Sequence, residues 1–210
     1  MKFAIGIPTL NRIDLLYPSV LMYSKTYPNT EIIIVDNGHQ ETALIERIPK
    51  VTVIKNESNI GVGASWNVLC KEIFKSHPNA LILNDDIFLG KSEREVEDFL
   101  DKKRIKGAFV RPPIDWCAFI LPKRVYEAVG EFDECFFPAY YEDNSYEYRM
   151  KLKGALMLKD PFLNPYVYRV SQTLEKAKSF YDASKQNKQL YIEMWGGEPS
   201  KEKFKTPFNK

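Results

Sequence analysis

Two acidic side chains follow a short apolar segment of this sequence and could hold a metal ion. Asp85 and Asp86 come, with Asn84, directly after the apolar residues 80–83. Two adjacent carboxylates flanked by apolar residues are costly to bury without a counter-charge, and oxygen ligands suit Mg²⁺ or Mn²⁺. A divalent ion is the simplest counter-charge, and Asn84 is expected only to end the strand. The alternative is an ordinary acidic turn.

A second polar group follows the first apolar segment, residues 3–7. Pro8, Thr9, Asn11 and Arg12 offer a hydroxyl, an amide and a guanidinium at that point. These groups could hold a nucleotide at the edge of a sheet. The alternative is that Pro8 and Thr9 end the strand while Asn11 caps the next helix.

Two further segments could contact the same nucleotide. Asp36 follows the apolar residues 31–35 and opens an Asp-Asn-Gly turn; its carboxylate could accept the N3–H of a uracil ring. Asn59 precedes Gly61 and Gly63, which resemble a phosphate-binding glycine loop without matching its usual spacing. We expect this loop to let Asn59 and backbone amides approach the nucleotide.

The second half of the sequence holds the candidate base. Asp143 lies in a region rich in aromatic residues, just before a helical pattern over residues 145–153. A helix N-terminus would hold its carboxylate rigidly as a general base, although Asp143 or Asn144 could instead only cap that helix. Trp116 and neighbouring aromatic residues could stack on sugar rings, or they could form core.

The elements that must position these residues alternate along the chain. Apolar segments typical of strands are separated by helical patterns, which indicates an α/β fold with a mostly parallel sheet flanked by helices. Ligands of such sheets bind at the carboxyl ends of the strands. The predicted strands cover residues 3–7, 31–35, 51–54, 80–83 and 107–110, and the predicted helices residues 62–75, 92–103, 123–130, 145–153 and 174–193.

Composition excludes several classes of function. The 210 residues, 44% of them hydrophobic, suit one domain, and a formal charge of +2 predicts no nucleic-acid partner. Only two histidines are present, which argues against zinc hydrolases and Ser-His-Asp catalysis. Three widely spaced cysteines and no long apolar segment predict a soluble, non-secreted cytoplasmic protein without a transmembrane segment.

Taken in order, these motifs resemble the GT-A fold glycosyltransferases of the family-2 type. The resemblance covers essentially the whole chain, residues 1–210, as a single domain with a nucleotide-binding half at 1–110 and an acceptor and catalytic half at 111–210, possibly excised from a longer chain. The segments that carry it are residues 7–12, 34–38, 59–61, 84–86, 129–134 and 142–143, with residues 195–197 and 207–208 near the C-terminus.

The resemblance implies a Rossmann-like sheet, a nucleotide-sugar donor and a set of roles. Asp85 would reach the ribose and Asp86 would bind the Mn²⁺ or Mg²⁺ that bridges the diphosphate. Glu142 would contact substrate, and Asp143 would deprotonate the acceptor hydroxyl, with inversion at the anomeric carbon. Pro8, Thr9, Asn11, Arg12 and Asp36 would hold the base and ribose. Arg169 stands where the family often has a metal-binding histidine, and it could pair with a phosphate.

Three functions therefore remain open. The first is a transferase that moves a hexosyl or deoxyhexosyl group from a UDP-sugar, or less readily a TDP- or GDP-sugar, to a glycan acceptor. The second is a nucleotide-sugar or glycan-binding module without turnover. The third is a sugar nucleotidyltransferase, which ranks last because the segment after the first strand lacks the glycines that such enzymes use.

Overall fold

A seven-stranded sheet forms the centre of the computed structural model, which describes residues 2–168 and 178–210. Its strand order is β3-β2-β1-β4-β7-β6-β8. The first four strands are parallel, so their carboxyl ends lie at one edge of the sheet. These strands are β1 (Ala4–Thr9), β2 (Ile32–Asp36), β3 (Val51–Lys55) and β4 (Asn79–Leu83).

The other half of the sheet contains its one reversed strand among the described residues. Strand β7 (Ala118–Pro122) runs antiparallel to β4 and to β6 (Phe109–Arg111), and β8 (Met157–Lys159) is parallel to β6. Sequence reasoning predicts β1 to β4 and β6 but omits β7. All five residues of β7 are buried, and a short apolar segment of this kind cannot be told from a buried helix by periodicity alone.

Six α-helices lie within the described residues. The predicted capping box starts α3, since the Ser92 hydroxyl accepts from the Glu95 amide and the Glu95 carboxylate accepts from the Ser92 amide. The helices are α1 (Ile13–Thr26), α2 (Val62–Ile73), α3 (Glu93–Asp101), α4 (Lys123–Val129), α5 (Glu142–Leu152) and α6 (Lys178–Trp195). The first four residues of the helix predicted over 174–193 lie outside the described residues.

Helix α5 begins three residues earlier than the sequence pattern predicts. Its N-cap is Tyr141, whose backbone is left-handed with φ 76° and which makes no side-chain cap. Asp143 and Asn144 therefore lie in the first turn, and their interpretation as N-caps is wrong. The physical reason is that a backbone turn, rather than a capping side chain, starts this helix, and sequence patterns do not reveal such a turn.

The sheet is covered on both faces. Ile5, Ile7 and Ile34 pack on one face with apolar residues of α1 and α3, whereas Ile33 and Val35 pack on the other with residues of α2, α4 and α5. This alternation follows from the period of two in a strand. Two layers of helix around one sheet are the α/β architecture that the sequence predicts.

Shorter elements complete the chain. Two-stranded pairing joins β5 (Ile87–Phe88) to β9 (Val167–Tyr168), and two 3₁₀ turns cover Pro161–Leu163 and Pro207–Asn209. Arg169 lies outside the described residues. None of the helices in the described part of the chain is long and apolar enough to cross a membrane.

Candidate active site

A cleft opens at the carboxyl ends of the parallel strands, where α/β sheets bind their ligands. Strands β1, β2 and β4, the loop before α2 and the loop before α5 all contribute residues. The lining residues are Pro8, Thr9, Leu10, Asn37, Asn59, Gly61, Val62, Ser65, Asn84, Asp85, Asp86, Pro138 and Ala139. We call this space the donor cleft.

The last residue of β1 is joined to the acidic pair after β4. The Thr9 hydroxyl donates to Asp85 Oδ2 over 2.7 Å, and Thr9 itself is buried. Burial raises the pKa of Asp85 to about 7, although the bond from Thr9 acts in the opposite direction. The sequence places these two residues at neighbouring strand ends, and the structure brings them into direct contact.

Asp86 lies beside Asp85 with only 9% of its surface exposed. Burial raises the pKa of Asp86 to about 6; the positive charge of Arg12 opposes this change and the negative charge of Asp115 adds to it. Asp115 precedes β7, which pairs with β4, and its carboxylate accepts from the Cys117 amide over 2.7 Å. Among the described residues, burial thus outweighs the charge of Arg12 at both carboxyl groups.

These two carboxylates fit a divalent cation that takes its other ligands from a phosphate. Mg²⁺ in proteins is commonly held by one or two carboxylates plus substrate phosphates. Within residues 2–168 and 178–210, no group of three or more acidic, histidine or cysteine side chains forms a complete site. The raised pKa values of Asp85 and Asp86 mean that a nearby cation would stabilise their ionised forms.

The glycine loop forms another wall of the donor cleft. The Asn59 side chain accepts from the Gly61 amide over 2.9 Å, and Gly61 has φ 83° as the N-cap of α2. The next amide, that of Val62, donates to the Pro138 carbonyl over 2.8 Å. A β-carbon at position 61 would lie 3.1 Å from both Pro138 O and the Phe137 ring. The loop therefore needs glycine there.

A buried polar network supports this wall from below. Asn37 donates from its side chain to the Ser65 hydroxyl over 2.8 Å and accepts from Asn56 over 2.7 Å. Ser65 donates in turn to the Gly61 carbonyl over 2.5 Å. Asn37 and Ser65 line the cleft, but sequence reasoning does not select them. The Asp36-Asn37-Gly38 turn is the signal that could have identified Asn37.

Asp36 lies next to the cleft rather than in its lining. Its side chain is fully buried, and one oxygen accepts from the Gly38 amide and the Gln40 side chain at 2.8 and 2.9 Å. The other oxygen accepts from the Gln40 backbone amide over 3.0 Å. A uracil N3–H would have to replace one of these donors, or share its acceptor.

The loop after β1 places its predicted residues differently. Pro8 lines the cleft beside Thr9, whereas Asn11 is exposed with φ 54° and packs against Gly38. Arg12 is the N-cap of α1 and pairs with Asp14 at 3.0 Å. Its positive charge also lowers the pKa values of Asp85 and Asp86. Asn11 and Arg12 thus flank the cleft without lining it.

The two carboxylates that begin α5 are partly or fully removed from water. Glu142 is 5% exposed, and its Oε2 atom has no hydrogen-bond partner. Burial, together with the charge of Asp143, raises the pKa of Glu142 well above its usual value. Burial also raises the pKa of Asp143, and bonds from its own and the following amide oppose this. A raised pKa suits a general base near neutral pH.

Trp116 belongs to an aromatic cluster in the core. Its ring stacks on Trp66 with centroids 6.0 Å apart and lies 4.8 Å from the ring of Phe109. The Arg111 guanidinium lies 5.8 Å from the Trp116 ring and pairs with Glu147 at 3.2 Å. Trp116 is therefore part of the core, and it does not line the cleft.

The donor cleft thus brings together five of the predicted site residues, Pro8, Thr9, Asn59, Asp85 and Asp86. Asn84 also lines it, although its predicted role was only to end the strand. Pro138 and Ala139 line it as well; they follow a run of aromatic residues that indicated core or sugar contact but no donor site. The predicted residues outside the lining are Asn11, Arg12, Asp36, Trp116, Glu142 and Asp143.

Three solved structures are similar in fold to this chain. The mannosyltransferase PcManGT from Pyrobaculum calidifontis, in complex with GDP-Man and Mn²⁺, has a TM-score of 0.59 at 12% identity, covering 76% of this chain and 55% of its own. S. aureus TarS has a TM-score of 0.62 at 16% identity, with coverages of 91% and 40%. GalNAc-T7 with UDP, GalNAc and Mn²⁺ has a TM-score of 0.70 at 14% identity, with coverages of 93% and 49%.

This chain spans about half the length of those proteins, so they establish its fold rather than its activity. No curated protein is similar in sequence. A family model does match, and its range includes β1 to β4 and ends at Asp86, the second residue of the acidic pair. The chain has the GT-A fold, and its residues 4–86 match the model of the family described as Glycosyl transferase family 2.

Proposed function

We propose that this chain is a glycosyltransferase that moves a hexosyl or deoxyhexosyl group from a UDP-sugar to a glycan acceptor. The observation that carries the proposal is the donor cleft, where Thr9, Asp85 and Asp86 meet at the carboxyl ends of β1 and β4. Both carboxyl groups have raised pKa values. This arrangement is suited to a ligand that brings both a diphosphate and a cation.

Asp143 is the proposed base. Its carboxylate takes the proton from an acceptor hydroxyl as that oxygen attacks the anomeric carbon, and the bond from that carbon to the diphosphate oxygen breaks. A single displacement of this kind inverts the anomeric configuration. The first turn of α5 holds Asp143, and Glu142 beside it is buried, so the pair sits in a site largely removed from water.

Asp86 is the proposed ligand for Mn²⁺ or Mg²⁺, with Asp85 beside it reaching the ribose. When bound, the cation supplies Lewis-acid stabilisation of the charge on the departing diphosphate. Neighbouring residues position these carboxylates and shape the cleft. Thr9 orients the Asp85 carboxylate through its 2.7 Å hydrogen bond, and the Gly61 loop forms a wall of the donor cleft.

Asp36 is the residue proposed to contact the base of the donor. It already accepts three N–H groups from its own turn, so its carboxylate by itself selects no base. UDP leads because of the family resemblance, and solved structures with this fold contain UDP or GDP-Man. GDP- and TDP-sugars are therefore included in the test.

Thermal shift with UDP-, GDP- and TDP-sugars, each with and without Mn²⁺, tests donor class and metal need together. A ligand at about 100 times its Kd stabilises the folded state by about 2.7 kcal/mol. In a chain of this size that corresponds to a rise in Tm of roughly 5–11 °C. We expect this rise for one donor class in the presence of Mn²⁺.

The control variant is Asp182→Ala, which removes an exposed carboxylate on α6, and it should match the wild type. Asp86→Ala should lose the part of the shift that depends on Mn²⁺. No shift with any of the donors would refute the proposal. A shift without hydrolysis or transfer in product analysis would support the alternative of a binding module instead.

A further inference from the structure

Helix α6 contacts the segment that connects the donor cleft to the proposed base. Asn187 is 4% exposed, and its side-chain nitrogen lies within hydrogen-bond distance of three backbone carbonyls. These belong to Phe137 at 3.2 Å, Ala139 at 2.8 Å and Tyr140 at 3.2 Å. A carboxamide nitrogen carries two hydrogens, so the three carbonyls share two donors. One side chain thus holds three carbonyls within four residues.

The segment from 137 to 141 is otherwise difficult to hold in place. Tyr140 and Tyr141 have φ values of 77° and 76°, in the left-handed region that bulky residues rarely adopt. Such a conformation persists only when contacts from outside determine it. Glu142 and Asp143 follow immediately, so the path of this backbone sets where both carboxylates begin.

The two ends of the segment are fastened to different parts of the protein. On the donor side, the Val62 amide donates to the Pro138 carbonyl over 2.8 Å. On the other side, Asn187 holds residues 139 and 140, and the Tyr191 ring lies 5.6 Å from that of Tyr141. The carbonyls nearest the base therefore depend on α6.

Three residues on one face of α6 contact either this segment or the start of α5. Asn187, Tyr191 and Trp195 are spaced four apart, so they lie along one side of the helix. Trp195 donates from its indole nitrogen to the Ser145 hydroxyl over 2.9 Å, within the first turns of α5. Asn187 is the member that contacts the left-handed segment itself.

We propose that Asn187 is a positioning residue for transfer: its carboxamide fixes the backbone at 139–141 and so places Asp143 relative to the donor cleft. The inference rests on the proposed function, in which Asp143 is the base. Asn187 touches no reacting atom in this account. It acts through hydrogen bonds to three backbone carbonyls, so position 187 needs a side chain with N–H donors rather than one of a given size.

Asn187→Leu tests the need for donors, because it keeps the number and branching of the side chain's heavy atoms and removes both N–H groups. Amide hydrogen exchange over residues 139–145 should accelerate by about tenfold, the factor expected from losing one net hydrogen bond. The value of kcat should fall by about 10- to 100-fold, the scale of a small misplacement of catalytic groups. Donor affinity should stay close to that of wild type, because the Val62–Pro138 bond remains.

Gln186→Leu is the matched control, since Gln186 is the adjacent exposed residue on α6; it should leave exchange, kcat and KM unchanged. Asn187→Ser keeps one donor and should recover part of the lost kcat. This variant also decides the question should Asn187→Leu fail to fold: a wild-type pattern of exchange and kcat in Asn187→Ser overturns the inference.

The inference also fails if Asn187→Leu folds and exchanges as wild type does, or if its exchange rises while kcat and KM are kept. Failure of the proposed function looks different. In that case wild type itself releases no nucleoside diphosphate from any donor, whereas here wild type is active and the Asn187 variants retain its kcat.

Discussion

The raised pKa of Asp85 makes the stability of the folded chain depend on pH. Its pKa of about 7 in the folded chain exceeds the ordinary 3.8 because the carboxyl is buried. The folded state therefore binds this proton more tightly than the unfolded state. Stability contributed by the protonated carboxyl is lost as pH rises from about 4 to about 7, and it stays lost above that range.

Asp85→Asn should consequently stabilise the protein at pH 8 in the absence of metal and nucleotide. The amide oxygen can still accept from Thr9, and no charge is buried. We expect Tm to rise by roughly 2–4 °C, the change that about 1 kcal/mol produces in a chain of this size. At pH 4 the two proteins should melt together. An equal difference in Tm at both pH values would contradict the assignment of the effect to ionisation.

Asp143→Asn tests the proposed base at the same scale. Transfer should fall by about 10² to 10⁴, the usual contribution of a general base, while the donor still binds. In the wild type, kcat should decline at low pH as the raised pKa of Asp143 is crossed. Product analysis and donor-induced thermal shift measure the two properties separately. Asp182→Asn, on the exposed face of α6, serves as the control, and transfer by Asp143→Asn at the wild-type rate would remove Asp143 from the mechanism.

At the scale of elements, the strand ends were predictable because parallel strands deliver their next residues to one edge of the sheet. Thr9 and Asp85 are an example, since apolar segments and polar successors identify both. The cleft residues that were not predicted come from segments without a periodic hydrophobic pattern. Pro138 and Ala139, for example, reach the cleft through a left-handed turn before α5.

The tertiary environment of a residue is equally hidden from the sequence. Asp36 has the type and position expected for a base contact, yet the following turn supplies three donors to its carboxylate. Trp116 has the type expected for sugar stacking, yet it packs among Trp66, Phe109 and Phe119. In both cases the sequence shows what the side chain could bind, but it does not show which neighbouring groups the side chain contacts in the fold.

The loop before α2 allows a prediction with a built-in control. Gly61→Ala adds a β-carbon 3.1 Å from Pro138 O and the Phe137 ring, at a backbone φ of 83°. Gly154→Ala shares a positive φ of 64° but meets nothing within 4 Å. Both variants should lose stability through strain at a positive φ, about 1–2 kcal/mol at Gly154 and about 1–3 kcal/mol at Gly61, whose ψ of 170° lies in a region almost confined to glycine. Only Gly61→Ala should also weaken donor binding, measured by thermal shift at fixed donor concentration. Equal donor affinity in the two variants would show that the Gly61 loop does not shape the cleft.

At the scale of the whole molecule, the fold agrees with glycosyltransferase structures at only 12–16% identity. This likeness shows the fold alone. The parts beyond residue 86 lie outside the family match. They supply the loop before α5 and the helix α6 that holds it, and we propose that they form the acceptor side of the protein and determine its specificity.

Release of nucleoside diphosphate from the preferred sugar nucleotide in the presence of Mn²⁺, compared between wild type and Asp86→Ala, tests whether the acidic pair serves metal-assisted glycosyl transfer. We expect turnover and transfer by the wild type, none by Asp86→Ala, and wild-type turnover by Asp182→Ala. Unchanged turnover and an unchanged response to Mn²⁺ in Asp86→Ala would contradict this expectation.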